Sequence, residues 1–205
     1  MTTRYGPTSR ERRFVGSLIK LERDNDRSAL AALRRGLRQP AFVDAEMHRY
    51  VVPWLSATDW GWRDDIYYIV AALFASHRIS WSTGGDQDQI SGRTNLGASF
   101  ARLAPMNSEK RESTDRRFTA LLNSHQDDLP DRLRHAVSLL KSADVPVDWA
   151  WLLYDLRRWD WEDRRVQREW ARAFWGGPPS TDRDDESDAI DQNGEKDTTP
   201  EEEGE

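Results

Sequence analysis

Six of the chain's ten tryptophans fall between Asp148 and Trp175, in the run DWAWLLYDLRRWDWEDRRVQREWARAFW. Leu152, Leu156 and Trp159 recur at i, i+4, i+7, and Val166, Trp170 and Phe174 at i, i+4, i+8. Those spacings place side chains on one face of a helix, so the run predicts two consecutive helices with a bulky apolar side. Asp148 is placed to cap the first of them, because its carboxylate can accept from backbone N–H groups that lack partners in the first turn. The polar positions in between are mostly arginine: Arg157, Arg158, Arg164, Arg165, Arg168 and Arg172. Two readings of them stay open. They are either a solvated face paired with Asp155, Asp160, Glu162, Asp163 and Glu169, or a surface for anions.

So large an apolar face needs a partner layer, and the rest of the chain supplies helices. Thr8 to Glu22 reads as an amphipathic helix with Phe14, Leu18 and Leu21 on one side. After Asp26, a second N-cap, RSALAALRRGLR turns Leu30, Leu33 and Leu37 inward. Phe42 to Val52 forms a short helix that Pro53 ends or bends, since proline removes a backbone donor. Ile66 to His77, IYYIVAALFASH, is apolar nearly all round, and such a helix belongs at the centre of a bundle. His77 then stands at a helix end, where an imidazolium favours the dipole. Helices over NLGASFARL, DRRFTALL and DDLPDRLRHAVSLLKS follow, the last with Asp128 as a cap and Pro130 in its first turn. Residues 78–94, RISWSTGGDQDQISGRT, break every periodicity and predict a long loop. The expected fold is all-α, one bundle of eight or nine helices over residues 8–175. Residues 1–7 are expected to be flexible, and residues 176–205 a disordered acidic tail, because like charges with few apolar groups cannot offset the entropy lost on ordering.

The formal charge of -6 conceals a division. Residues 176–205 hold twelve acidic and two basic side chains; subtracting these from the 36 acidic and 30 basic of the whole chain leaves 24 and 28, a body of +4. Of those 28 cations only Lys20, Lys110 and Lys141 are lysine. Arginine offers a planar fork of donors suited to phosphate. Arg27, Arg34 and Arg38 are spaced i, i+7, i+11 along one outer stripe, Arg35 lies beside them, and no acidic residue intervenes in sequence. This is a candidate phosphate surface. Changing Arg34 and Arg35 to Ala is expected to cost no more than about 1 kcal/mol, as for exposed positions.

Chemistry beyond binding finds little support. With no cysteine there is no disulfide, thiolate metal site or thiol nucleophile. There is no HExxH or EF-hand pattern, and His48, His77, His125 and His135 do not fall at metal-ligand spacing. Asp64–Asp65 and Asp127–Asp128 sit at helix starts, where capping explains them. No metal or cofactor is expected, nor a membrane span, and the absence of a signal segment points to the cytoplasm.

Taken in order, ALAALRRGL, YYIVAALFASH, NLGASFARL, DRRFTALLNSHQDDLPDRLRHAVSLLKS and VPVDWAWLLYDLRRWD resemble the CasB family, the small subunit of the type I-E CRISPR surveillance complex Cascade. The resemblance runs from Phe14 to Phe174, and its most specific part is the DLP-x-RLR-x-AV-x-LL run followed by VDW-x-x-LL-x-DL. It implies a helical, non-catalytic protein that works as a pair of copies beside CRISPR RNA and the other Cascade subunits. There it would hold the RNA–DNA hybrid and steady the displaced strand of target DNA, while a separate helicase-nuclease cuts. The family's basic surface maps onto Arg34, Arg35, Arg116, Arg117, Arg132, Arg134 and Arg165. The acidic tail and the 78–94 loop depart from the family pattern. A helical adaptor that binds protein only is the alternative, and an RNA-processing enzyme a weaker third.

Overall fold

The computed structural model describes residues 6–37, 45–56, 61–81, 94–104 and 109–176. Residues 1–5 of the expected flexible start, the expected tail beyond Gly176, Arg38, and most of the 78–94 loop lie outside them; Pro7, expected to be flexible, is buried. Nine α-helices occur among the described residues: α1 Ser9–Arg23, α2 Arg27–Arg35, α3 Ala45–Val51, α4 Trp62–Ser76, α5 Leu96–Leu103, α6 Arg111–Leu122, α7 Leu129–Ser142, α8 Trp149–Leu156 and α9 Arg165–Trp175. Short 3-10 turns at Val52–Trp54 and Gln126–Asp128 complete them. The all-α expectation holds. No helix among the described residues is long and apolar enough to cross a membrane.

Local chemistry starts several of these helices where it was expected to. Asp26 accepts from the Ala29 N–H at 2.9 Å, and Asp148 from the Trp151 N–H at 3.0 Å. Thr8 and Glu11 form a capping box on α1, each side chain accepting from the other residue's backbone N–H. Asp128 sits at the N-cap of α7 without a side-chain cap bond. The Asp64–Asp65 pair lies in the first turn of α4, whose cap position is Gly61, so the pair faces the positive end of the helix dipole without capping it.

Helix α4 is the central element. Ten consecutive residues, Ile66 to Ala75, are buried, and α2, α3, α7 and α8 pack around it. Fully burying one Leu, Ile or Phe side chain stabilises by roughly 1.5–3 kcal/mol, so a helix apolar on every side has no other stable location. Helix α5 packs on α9, and α6 on α7. Trp149, Trp159 and Trp170 are in the core. The Trp170 Nε1–H donates to the buried Asp155 carboxylate at 2.6 Å, and that of Trp159 to the Ser124 carbonyl at 3.2 Å.

Three places show what tertiary contacts add to these expectations. His77 is the C-cap of α4, as expected, and it is also buried: its Nε2–H donates to the Val145 carbonyl at 2.7 Å and ties α4 to the segment before α8. The start of the 78–94 segment pairs with that same segment: the Val147 N–H donates to the Ile79 carbonyl at 3.2 Å, beside an isolated Ser80–Val147 bridge. Helix α6 begins at Arg111, four residues before Asp115. Arg111 holds that added turn by stacking 3.9 Å over the Phe174 ring and donating to the carbonyls of Ala104 and Phe174. Those partners are distant in sequence and invisible to a periodicity.

Candidate nucleic-acid interface

Helices α6 and α7 pack on each other and are joined by a short turn, and an open groove of about 600 Å³ runs between them. On α7 the groove is lined by Arg132, His135, Ala136, Leu139 and Ser142, at spacings of three, one, three and three, and by Ser138 beside them. Those spacings trace one stripe of a 3.6-residue helix. On α6 they are Arg116, Arg117, Ala120 and Leu121. Phe100 of α5 closes the apolar wall, and small residues at 120, 136 and 138 leave the space open. Three predicted arginines are thus brought to one concave surface by two helices.

Their guanidiniums are available. Arg116 is 75% exposed and only 3.9 Å from Glu112, a separation and exposure at which an ion pair contributes little. Arg117 and Arg132 are exposed and make no ion pair among the described residues. His135 adds a fourth nitrogen base to the groove, also exposed. Sequence reasoning missed it, although it stands three residues after Arg132 on the same helical face. Arg134, two residues after Arg132, points to the other side of α7 because two residues turn a helix by about 200°.

The α2 stripe is a different matter, and its freedom from partners is corrected here. The Arg34 Nε–H donates to the Ala75 carbonyl at the end of α4, at 3.2 Å. Arg35 pairs with Glu46 of α3. Arg134 donates to the Leu37 carbonyl at 2.7 Å, just past α2, and pairs with Asp131 at 2.8 Å. Cations at carbonyl-rich helix ends meet the negative pole of the dipole, which gives Arg34 and Arg134 a structural use. Arg27 is exposed without an ion pair among the described residues. Arg38 lies outside them.

Arginines of the Trp-rich run are also largely engaged. Arg157 meets the buried Glu11 carboxylate at 3.1 Å. Arg158 stacks 3.6 Å over the Tyr154 ring, and Arg164 donates to the Leu122 carbonyl at 2.6 Å. Arg165 pairs with Glu169 at 2.9 Å. Of the acids in the run, Glu169 pairs with Arg165 and Asp163 lies 3.9 Å from Arg168, while the other engaged arginines use Glu11, carbonyls and a ring; the groove does not include Arg165. No cluster of three or more metal-ligating side chains occurs among the described residues.

Comparison with known proteins agrees with this architecture. The family model of CRISPR-associated protein Cse2 matches residues 29–175. The CRISPR-associated protein Cse2 of Thermus thermophilus is 36% identical over 154 residues, 75% of this chain and 82% of that protein. The crystal structure of CasB from Thermus thermophilus superposes with a TM-score of 0.67 at 32% identity, covering 82% of this chain and 99% of that one. A chain of a CRISPR RNA-guided surveillance complex superposes with a TM-score of 0.66 at 29% identity, covering 80% of this chain and 91% of that one. With the family model spanning the helices from α2 to α9 and the Thermus protein matched over most of its length, this chain belongs to the Cse2 (CasB) family of CRISPR-associated proteins.

Proposed function

We propose that the chain is a non-catalytic small subunit of a CRISPR RNA-guided surveillance complex, and that its α6–α7 groove holds nucleic-acid backbone during target recognition. The single observation that carries the backbone role is the convergence of Arg116, Arg117 and Arg132 on one groove, with only a weak carboxylate contact at Arg116. Membership in such a complex is supported by the likeness to a chain of one. The partners in this reading are the other Cascade subunits, a second copy of this chain, CRISPR RNA and target DNA.

Guide pairing reads sequence, so a protein in this position needs cations along phosphates and no base readout. Replacing a DNA duplex by an RNA–DNA hybrid is nearly balanced in free energy. A few charge-assisted contacts to the displaced strand or the hybrid then suffice to prolong the open state. Arg27 stands as a secondary contact. Arg34, Arg35, Arg134 and Arg165 retain exposed guanidinium surface, but their intramolecular bonds reduce what they can give to phosphate.

Those same bonds favour a second reading for the α2 face, in which it is a docking surface for protein and carries no nucleic acid. Mobility shift with single- and double-stranded DNA across a salt series tests the first reading. Binding that weakens with salt and is reduced by groove variants supports it; salt-insensitive or absent binding together with normal entry into the complex leaves the protein-only scaffold. A magnesium-dependent cleavage assay on the purified chain tests the non-catalytic role, and robust cleavage that copurifies with the protein sinks it.

A further inference from the structure

Where α9 ends, the chain is held against α6. Arg111 stacks 3.9 Å over the Phe174 ring and donates to the Phe174 carbonyl at 3.2 Å. Phe118 meets the same ring at 4.5 Å between centroids and the Trp175 ring at 5.4 Å. In sequence these two α6 residues bracket Arg116 and Arg117, the groove arginines of that helix. Phe100, which closes the apolar wall of the groove, lies 4.8 Å from Phe118 by ring centroids. Gly176, the last described residue, therefore leaves the body beside the groove.

The sequence beyond it soon turns acidic. Residues 177–181 are uncharged, and DRDDESD at 182–188 holds five carboxylates and one arginine. Asp182 is six residues past Gly176, and extended chain spans at most about 3.5 Å per residue, so it can lie up to roughly 20 Å from the exit. The 12 residues of α6 are about 18 Å long. Helix α7 packs on α6, and the axes of packed helices lie about 8–10 Å apart. The arginines of both groove helices are thus within reach of this segment by chain length alone.

The groove has cations to offer it. Arg116 is 3.9 Å from Glu112, and Arg117 and Arg132 make no ion pair among the described residues. A guanidinium binds carboxylate and phosphate with the same fork of N–H donors, so a groove suited to nucleic-acid backbone suits an acidic peptide by the same chemistry. What singles out this chain's own segment is attachment. A tether this short holds it at an effective concentration in the millimolar range, an advantage that no separate acidic protein has.

We propose that the acidic segment 182–188 occupies the α6–α7 groove of the free chain and that nucleic-acid backbone displaces it. The inference rests on the functional reading of the groove as a backbone site. It differs from general charge repulsion, because a segment seated on the arginines competes for them contact by contact. Free nucleic acid is then disfavoured, whereas a strand that the surveillance complex itself holds beside the groove has a high effective concentration of its own and regains access.

The chain contains no cysteine, so Ser138→Cys, at an exposed groove position, gives a single nitroxide label on the full-length protein. Paramagnetic broadening is expected to remove most of the amide NMR intensity of residues 182–188 at low ionic strength. Oligo-thymidylate should restore those signals, and Arg116→Ala/Arg117→Ala/Arg132→Ala should abolish the broadening. A label at Ala120→Cys, on the α6 wall, repeats the measurement from the other helix. Broadening that is absent with both labels, survives loss of the three arginines, or persists when oligo-thymidylate saturates the chain overturns the proposal. In the unlabelled chain, Asp182→Asn/Asp184→Asn/Asp185→Asn/Glu186→Gln/Asp188→Asn is expected to tighten oligo-thymidylate binding about fivefold, as removal of a tethered competitor held at a few times its dissociation constant does. Unchanged affinity also overturns it. Affinity that does not depend on the three arginines defeats the functional reading, and displacement with it; arginine-dependent affinity without broadening defeats this inference alone.

Discussion

The carboxylate of Glu11, in a side chain with no solvent exposure, is met at 3.1 Å by the guanidinium of Arg157, which joins the first helix to the residue that ends α8. Removing one partner of a buried pair strands the other charge in a poorly solvating medium, which costs about 3–5 kcal/mol. Arg157→Ala is therefore expected to lower stability by that amount in urea unfolding. The double variant Glu11→Gln/Arg157→Met recovers most of it, because neither side then holds an unpaired charge. A single variant with an unchanged midpoint shows the pair to be dispensable.

Gly97 gives a second, purely steric test. A methyl group on its α-carbon would lie 2.1 Å from the Trp170 carbonyl oxygen, so α5 and α9 touch backbone to backbone at this point. Gly97→Ala must push the two helices apart, and overpacking of this kind costs roughly 1–3 kcal/mol. The gain in helix propensity, about 1 kcal/mol, is too small to compensate fully. A melting temperature at or above wild type would contradict the close approach.

For the groove, Arg116→Ala/Arg117→Ala/Arg132→Ala is expected to leave the fold intact and flatten the log-affinity against log-salt slope for single-stranded DNA by about 2, at roughly 0.7 per lost phosphate contact. Arg34→Ala should behave in the opposite way. Losing its bond to the Ala75 carbonyl costs stability by about 1.5 kcal/mol, the low end for a charge-assisted bond, with a smaller effect on the salt slope. This revises the expectation that Arg34 and Arg35 together are nearly neutral for folding. Equal slopes for the two variants would dissolve the distinction between groove and stripe.

Burial, reinforced by the neighbouring Asp64 charge, holds the Asp65 carboxyl above its ordinary value of 3.8. The folded state therefore binds this proton more tightly than the unfolded chain. Its contribution is most favourable below pH 3.8 and declines as pH rises from there through the raised value, then stays level. Asp65→Asn should accordingly raise the melting temperature relative to wild type at pH 7 and give little or no gain near pH 3. A difference independent of pH would assign the effect to something other than ionisation.

Residues 177–205 carry a net charge of -10 and lie beyond the region matched by the family model. Truncation after Gly176 is expected to leave the melting transition almost unchanged and to strengthen non-specific DNA binding, since it removes charge that repels phosphate. Thermal scans and mobility shifts of the truncated and full chains decide this; unfolding on truncation would place the boundary of the folded region further along.

Periodicity and capping chemistry alone determined much of this molecule. The all-α class, the central position of Ile66 to Ala75, the caps at Asp26 and Asp148, and the inward faces of the last two helices depend on contacts within a few residues, and a sequence displays those directly. What only the tertiary structure decided is which arginines are free. Arg27, Arg34, Arg117 and Arg134 look alike in sequence, but Ala75 and Leu37 supply carbonyls to two of them from other parts of the fold. Arg132 and Arg134 stand two residues apart and serve opposite sides of one helix, and His135 joins the groove because α6 packs beside α7. A cation's partner is fixed by spatial proximity, over a few ångströms, between segments up to 146 residues apart; no local pattern encodes that distance.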